Sequence, residues 1–247
     1  MILQKLLRVA NPIFDLKNAL IDFVLPPHCI ICSRYLTPEE KIVCDTCWEN
    51  LEILPSFFCP DCQNFLDERS FSCGICTHNV TLSAVRSLGT FDDFYQKLIH
   101  GFKYQQKISL GQRLGRRLGE MLIKDKTVSR FDCLIPVPLH SARKRERGFN
   151  QSEILAEELS KFTELPLLKT LKRIRNTKDQ TKLTPEQRIE NVTGAFALID
   201  PEKIKGKRVI LVDDVITTGA TLRECASVLK KAGAKEIIGT TIAVAMI

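Results

Sequence analysis

No run of apolar residues in this 247-residue chain approaches the ~20 needed to cross a bilayer, which excludes a spanning helix. A secretion signal is not expected either. The opening stretch MILQKLLRVANPIFDLKNALIDFV is broken by Lys5, Arg8, Asp15, Lys17 and Asp22 and makes a poor signal peptide. A soluble cytoplasmic protein is therefore the expectation. Compositional bias is absent: hydrophobic residues are 44% and charged residues 26%, ordinary globular usage, so a wholly disordered chain is excluded. Aromatics are sparse at 7%. Trp48 and Phe57–Phe58 could stack bases, but a small cysteine-rich region also needs aromatics to pack.

Acidic residues are scarce in one place. Residues 101–150 carry 12 basic and 4 acidic side chains, net +8, whereas residues 1–100 are net −4 and residues 151–247 net +3. The middle segment thus holds the whole excess of a chain whose net charge is +7. Its partner should be anionic: a phosphate-rich small molecule, a nucleic acid, or both.

Cysteine is abundant and clustered. Cys29/Cys32, Cys44/Cys47, Cys59/Cys62 and Cys73/Cys76 form four C-x-x-C pairs. A C-x-x-C turn presents two thiolates at one corner of a zinc tetrahedron, and two such pairs joined by a short hairpin close one site. A disulfide framework would need an oxidising compartment, which the missing secretion signal speaks against. One or two structural zinc ions are expected, with adjacent or crossed pairing of the pairs left open. Cys133 and Cys225 lie outside the pattern and read as small core residues. Few long apolar runs occur between the pairs, so metal must supply much of this module's folding energy.

Three regions follow. Over residues 1–25, Asn11 and Pro12 can start an amphipathic helix carrying Ile13, Leu16, Leu20 and Val24 on one face. Residues 26–80 form the metal module. Residues 84–247 alternate strand and helix. AVRSLGTF, FDCLIPVPL, LLKTLKRIR, KRVILVDDV and EIIGTTIAVAMI read as strands. FYQKLIHGFK, SLGQRLGRRLGEMLI, QSEILAEELSKF and TTGATLRECASVLKKAG read as helices, and NTKDQTKLTPEQRIENVTGAF as a polar stretch. This α/β alternation predicts a mainly parallel sheet with helices on both faces and ligands beyond the carboxyl ends of the strands. The loops after Val137, Arg175 and Val212 should then meet.

The informative loop is VILVDDVITTGAT, residues 209–221. Asp213 and Asp214 emerge at the end of a buried strand. Thr217, Thr218, Gly219, Ala220 and Thr221 lead into a helix, whose start offers unpaired N–H groups to a phosphate. Two adjacent carboxylates can accept hydrogen bonds from vicinal hydroxyls or hold Mg²⁺ through water. Phosphate plus diol is a ribose-5-phosphate site.

This loop is similar to the 5-phosphoribosyl-1-diphosphate (PRPP) motif of type I phosphoribosyltransferases. Residues 135–156, 98–107 and 173–196, with the LPPHCIIC start of the metal module, resemble the ComF family of competence proteins, a group that includes GntX-like proteins. The resemblance implies a type I phosphoribosyltransferase fold preceded by a double zinc ribbon. It implies that Asp213 and Asp214 hold the ribose hydroxyls and that Thr217 to Thr221 wrap the 5-phosphate. Arg143, Lys144, Arg145 and Arg147 would neutralise a diphosphate with Mg²⁺ or track a nucleic-acid backbone. Arg175, Thr177, Gln180, Arg188 and Asn191 would lie in a mobile loop that closes over the site. The implied role is PRPP binding in DNA uptake, with single-stranded DNA, an uptake helicase or other competence proteins as partners. Transfer of phosphoribosyl to an acceptor, displacing pyrophosphate from the anomeric carbon, is open in that role; the alternative is an active phosphoribosyltransferase of nucleotide metabolism or salvage with no DNA role. The acceptor is not legible in the sequence.

Overall fold

The computed structural model describes residues 26–67, 71, 73–76, 81–104, 107–177 and 183–245. The helix expected over residues 1–25 and the loop residue Gln180 lie outside them. Met1–Leu51 and Glu52–Ile247 are two compact units.

In the first unit a tight turn carries Cys29 and Cys32. The Cys29 N–H donates to the Arg34 carbonyl at 2.8 Å and the Ser33 N–H returns to the Cys29 carbonyl at 2.9 Å. Helix α1, Asp45–Glu49, starts where the Cys44 sulfur accepts the Cys47 N–H at 3.4 Å. The same turn recurs in the second unit: the Cys59 N–H donates to the Asn64 carbonyl and the Gln63 N–H to the Cys59 carbonyl, both at 2.9 Å. Ser33 and Gln63, each just past its C-x-x-C, share a left-handed backbone, φ 62° and 60°. The two ribbons are structural repeats.

The second ribbon is built into the sheet unit. Phe58 exchanges backbone hydrogen bonds of 2.9 Å with Val85 of strand β1, Ala84–Thr90. Phe57 and Phe58 are 0% exposed. They therefore pack the core and present no face to a base.

The sheet itself runs β1, β7 (Glu236–Val244), β5 (Arg208–Val212), β2 (Cys133–Pro136), and two-residue β6 (Val215–Ile216) continues beside β7; all pairings are parallel. Alternate side chains explain the two covered faces. Cys133, Ile135, Val209, Leu211 and Ile237 join one core with Leu222, Cys225, Ala226 and Leu229 of helix α7, Ala220–Lys231. Helices α2 (Asp93–Tyr104), α3 (Ile108–Lys124) and α5 (Gln151–Thr163) also pack on the strands. Leu110, Leu114, Leu118 and Met121, the expected apolar stripe of α3, are all buried.

Three segments extend or alter the sequence reading. SARKRER folds as helix α4, Ser141–Arg147, closed by Gly148 at φ +86°. Of LLKTLKRIR, only Leu171–Arg173 is strand β3, and it pairs antiparallel with β4, Phe196–Leu198, outside the main sheet. The polar stretch contains helix α6, Pro185–Val192, held by a capping box between Thr184 and Gln187. The box satisfies orphan N–H groups that would otherwise oppose so polar a helix.

Candidate functional site

Strand β5 ends at Val212 and delivers Asp213 and Asp214 to its carboxyl end. Their backbone stays in the sheet: the Asp213 N–H donates to the Thr240 carbonyl at 3.0 Å, and the Asp214 carbonyl accepts from Ile242 at 2.9 Å. The pair is thereby fixed, and three elements converge on it. The Asp213 Oδ1 accepts the Ser152 hydroxyl, from the first turn of α5, and the Asp214 N–H, each at 2.9 Å. Lys103 near the end of α2 reaches the Asp214 Oδ2 at 2.8 Å. Burial, and then the neighbouring Asp214, pushes the Asp213 carboxyl up to about 7; Ser152, the Asp214 N–H and Lys103 oppose the rise.

The 217–219 loop connects β6 to α7. Gly219 takes φ +74°, the left-handed conformation an L side chain rarely adopts. The Thr218 hydroxyl accepts the Ala220 N–H at 3.4 Å, while Ala220 and Thr221 form the first turn of α7. Loop N–H groups and a helix start thus lie beside two carboxylates, an arrangement suited to a phosphorylated diol.

The basic run divides. The Arg143 Nη2 donates to the Thr177 carbonyl at 2.8 Å, and the Arg173 Nη2 to the Thr177 hydroxyl at 2.5 Å. Thr177 is only 7% exposed, so it holds two guanidinium groups together. Arg173 also stacks over Phe196 at 5.2 Å. Burial, and then Arg143, depresses its ordinarily very high pKa, with Cys225 and Asp213 opposing. Among the described residues its buried Nε has no hydrogen-bond partner. Lys144 and Arg147 turn instead to α5, donating to Glu153 at 2.8 Å and to Gln151 at 3.0 Å. Arg145 is exposed. Asn150 caps α5 through the Ser152 N–H and donates to the Val137 carbonyl.

Of the expected closing segment, Thr177 lies at the cluster. Arg175 donates to the Thr193 carbonyl at 2.6 Å and Arg188 to the Leu183 carbonyl at 3.1 Å; Asn191 sits half-buried in α6. Lys103, Ser152 and Arg173 were missed as site residues. All three lie in segments already singled out for their resemblance (residues 98–107, 135–156 and 173–196), so a signal existed for each.

Among the described residues, two groups can hold metal: Cys29, Cys32, Cys44 and Cys47, and Cys59, Cys62, Cys73 and Cys76, their sulfurs all within 4.8 Å of one another. A zinc tetrahedron with bonds of about 2.3 Å has edges of about 3.8 Å. Cys32 and Cys44 are 3.8 Å apart and Cys62 and Cys73 3.5 Å, so the donor sets fit zinc. The pairing is adjacent, not crossed. Burial alone would raise the Cys29 thiol, but N–H groups of Cys32, Cys44 and Ile31 outweigh it and bring it to about 6, which favours the ligating thiolate. The Cys76 thiol, sharing its sulfur contact with Cys62, is pushed up to about 12. Cys133 and Cys225 are 0% exposed, as expected of core residues.

Residues 146–245 match the phosphoribosyl transferase domain and residues 20–78 the double zinc ribbon domain. The parallel sheet with its covering helices is a type I phosphoribosyltransferase fold, and the four-cysteine groups are structural zinc sites. The chain is similar to competence protein F of Haemophilus influenzae, 31% identical over 216 residues that cover 85% of this chain and 93% of that protein. It is similar to DNA utilization protein YhgH of Escherichia coli K12, 29% identical over 86% of this chain and 95% of the relative. Competence protein ComFC of Bacillus subtilis is 28% identical over 80% of this chain and 81% of its own length.

Proposed function

The chain belongs to the competence protein F family, and on that premise we propose that it binds PRPP with Mg²⁺ at the end of β5 and handles single-stranded DNA during DNA uptake. The observation that carries the PRPP reading is the meeting of Asp213 and Asp214 with the 217–221 loop at the carboxyl end of a parallel strand. The carboxylates would accept the ribose hydroxyls, and the loop would take the 5-phosphate on its N–H groups. Arg143 and Arg173, held together by Thr177, would face the diphosphate, whose charge suits guanidinium forks. Mg²⁺ would neutralise the same oxygens. Arg175, Thr177, Gln180, Arg188 and Asn191 would form the segment that closes on the ligand.

The relatives named for competence and DNA utilization support the DNA role, as does the +8 segment at residues 101–150. A cytoplasmic location and an uptake helicase or other competence protein as partner accord with that role. Among the described residues no helix is long and apolar enough to cross a membrane.

Calorimetry with PRPP and Mg²⁺ tests the site. Asp213→Asn with Asp214→Asn should weaken binding by about 1.5–3 kcal/mol for each charge-assisted hydrogen bond lost. Unchanged affinity in the double variant would remove the assignment. Labelled PRPP incubated with candidate acceptors, with and without single-stranded DNA, reads whether pyrophosphate is released.

A further inference from the structure

One side chain joins the second ribbon to the 217–219 loop. Arg223 stands in the first turn of α7, and its three nitrogens are divided between the two. Nε donates to the Asp61 carboxylate at 3.0 Å and Nη2 to the Pro60 carbonyl at 2.5 Å, while Nη1 donates to the Thr218 carbonyl. The guanidinium also fills the space before Gly219, where a Cβ would come within 2.8 Å of Nη1. Pro60 and Asp61 are the two residues between Cys59 and Cys62. Their turn is shaped around sulfur, since Cys59 accepts N–H groups from Cys62 and Asp61.

A second tie grips the other end of the loop. Gln63, next after Cys62, donates from Nε2 to the Ala245 carbonyl at 3.1 Å, and the Ala245 N–H donates to the Ile216 carbonyl at 2.9 Å. Ile216 ends β6 and immediately precedes Thr217. The loop is thus held at its start and its finish by residues within and next to one C-x-x-C turn. Arg223 and Asp61 are 32% and 44% exposed, so as an ion pair they add little stability. What the contact supplies is geometry.

We infer that Arg223 is a positioning residue that couples metal at Cys59, Cys62, Cys73 and Cys76 to ligand on the 217–221 loop. Cys59 and Cys62 would hold the turn rigid when they ligate zinc; Pro60 and Asp61 of that turn hold the guanidinium, and the guanidinium holds the Thr218 carbonyl, whose peptide plane sets the direction of the Gly219 N–H. The coupling is reciprocal: metal raises affinity at the loop, and ligand protects the metal site by the same factor. The inference rests on the reading of this loop as the PRPP phosphate site and adds a partner to it.

The test uses the full zinc-loaded chain. Alkylation of each cysteine is followed by mass spectrometry with and without PRPP and Mg²⁺, alongside calorimetry and zinc content. PRPP should slow modification of Cys59, Cys62, Cys73 and Cys76 by roughly fivefold or more. Cys29, Cys32, Cys44 and Cys47, in the other compact unit, should be unaffected and serve as the control. Arg223→Met should abolish the protection and weaken PRPP binding while zinc content stays at the wild-type value. Asp61→Ala cuts the same contact from the ribbon side at an exposed position and should act alike, which decides the matter if Arg223→Met misfolds. PRPP that binds the wild type yet leaves the Cys59 group unprotected overturns the coupling alone, as does protection that survives both substitutions. A wild type that binds no PRPP removes the coupling and the PRPP reading together.

Discussion

Asp213 carries a charge that the fold does not welcome. Its folded pKa of about 7 lies above the ordinary 3.8, first because it is buried and then because Asp214 adjoins it. A raised folded pKa means that the residue's stability contribution is complete below about 3.8 and is lost as pH rises through about 7. Asp213→Asn, neutral throughout, should therefore melt higher than wild type at pH 8, with the advantage shrinking as pH falls from about 7 and gone below about 3.8. For a chain of this size, each kcal/mol is worth about 2–4 °C. Binding has the opposite sign. A ribose diol donates to the ionised carboxylate, so PRPP affinity should rise from pH 6 to pH 8 and binding near pH 7 should release a proton. Calorimetry in buffers of different ionisation enthalpy measures that release, and a complex formed without proton exchange would show that Asp213 does not accept from the ligand.

At the scale of the element, helices α3 and α5 lie unusually close because glycines face the contact. A Cβ on Gly115 would meet the Leu155 carbonyl and the Glu158 Cβ, both at 2.9 Å, and one on Gly119 would meet the Phe162 Cβ at 2.8 Å. That approach seats α5, whose first turn brings Ser152 to Asp213. Gly115→Ala should cost about 1–3 kcal/mol in chemical denaturation, as overpacking does. Strand β1 depends on a different contact. Arg86, 3% exposed, pairs with Asp125 at 2.7 Å and donates to the Leu54 carbonyl at the same distance. Arg86→Ala strands a largely buried carboxylate and should cost about 3–5 kcal/mol. The leucine stripe of α3 was legible because a 3.6-residue period is a local property. The purpose of its glycines was not, because the residues they admit belong to another helix. Helix α6 was legible in principle: Thr184, Pro185 and Gln187 spell its start, but its polarity resembles a loop.

Across the whole molecule, the two ribbons have different consequences because they lie in different compact units. Cys29→Ser should remove about one zinc by elemental analysis and leave PRPP affinity intact. Cys59→Ser should remove the other and also destabilise the sheet unit, where Phe58 pairs with β1. Equal effects of the two substitutions on PRPP affinity would contradict this division. The charge of residues 101–150 bears on the second ligand. Single-stranded DNA should bind with a salt slope of about −0.7 per phosphate neutralised, and Arg143→Ala with Lys144→Ala should make it shallower for all sequences alike. Lys144 is 47% exposed and pairs with Glu153, a surface pair that phosphate can replace. Arg143 is tied to Thr177 by the proposed diphosphate position, so PRPP and DNA that share it should each weaken the other by one factor. An unchanged salt slope would exclude these two residues from the DNA path.

What the sequence determined by itself is what neighbouring residues decide among themselves. A C-x-x-C pair can chelate because two intervening residues hold its sulfurs near each other, and a buried strand followed by Asp213, Asp214 and a threonine-glycine turn can take a phosphate and a diol on one short stretch. Alternation of strands and helices likewise implied a parallel sheet covered on both sides. The tertiary structure decided which distant residues complete these pieces. Ser152 and Asp213 are 61 positions apart, and Arg223 and Asp61 162. It also made Phe57 and Phe58 core residues, split the basic run between Thr177 and α5, and joined the second ribbon to the 217–219 loop. Such contacts follow from how helices and strands pack, and packing depends on the shapes of whole faces, which no spacing along the chain records.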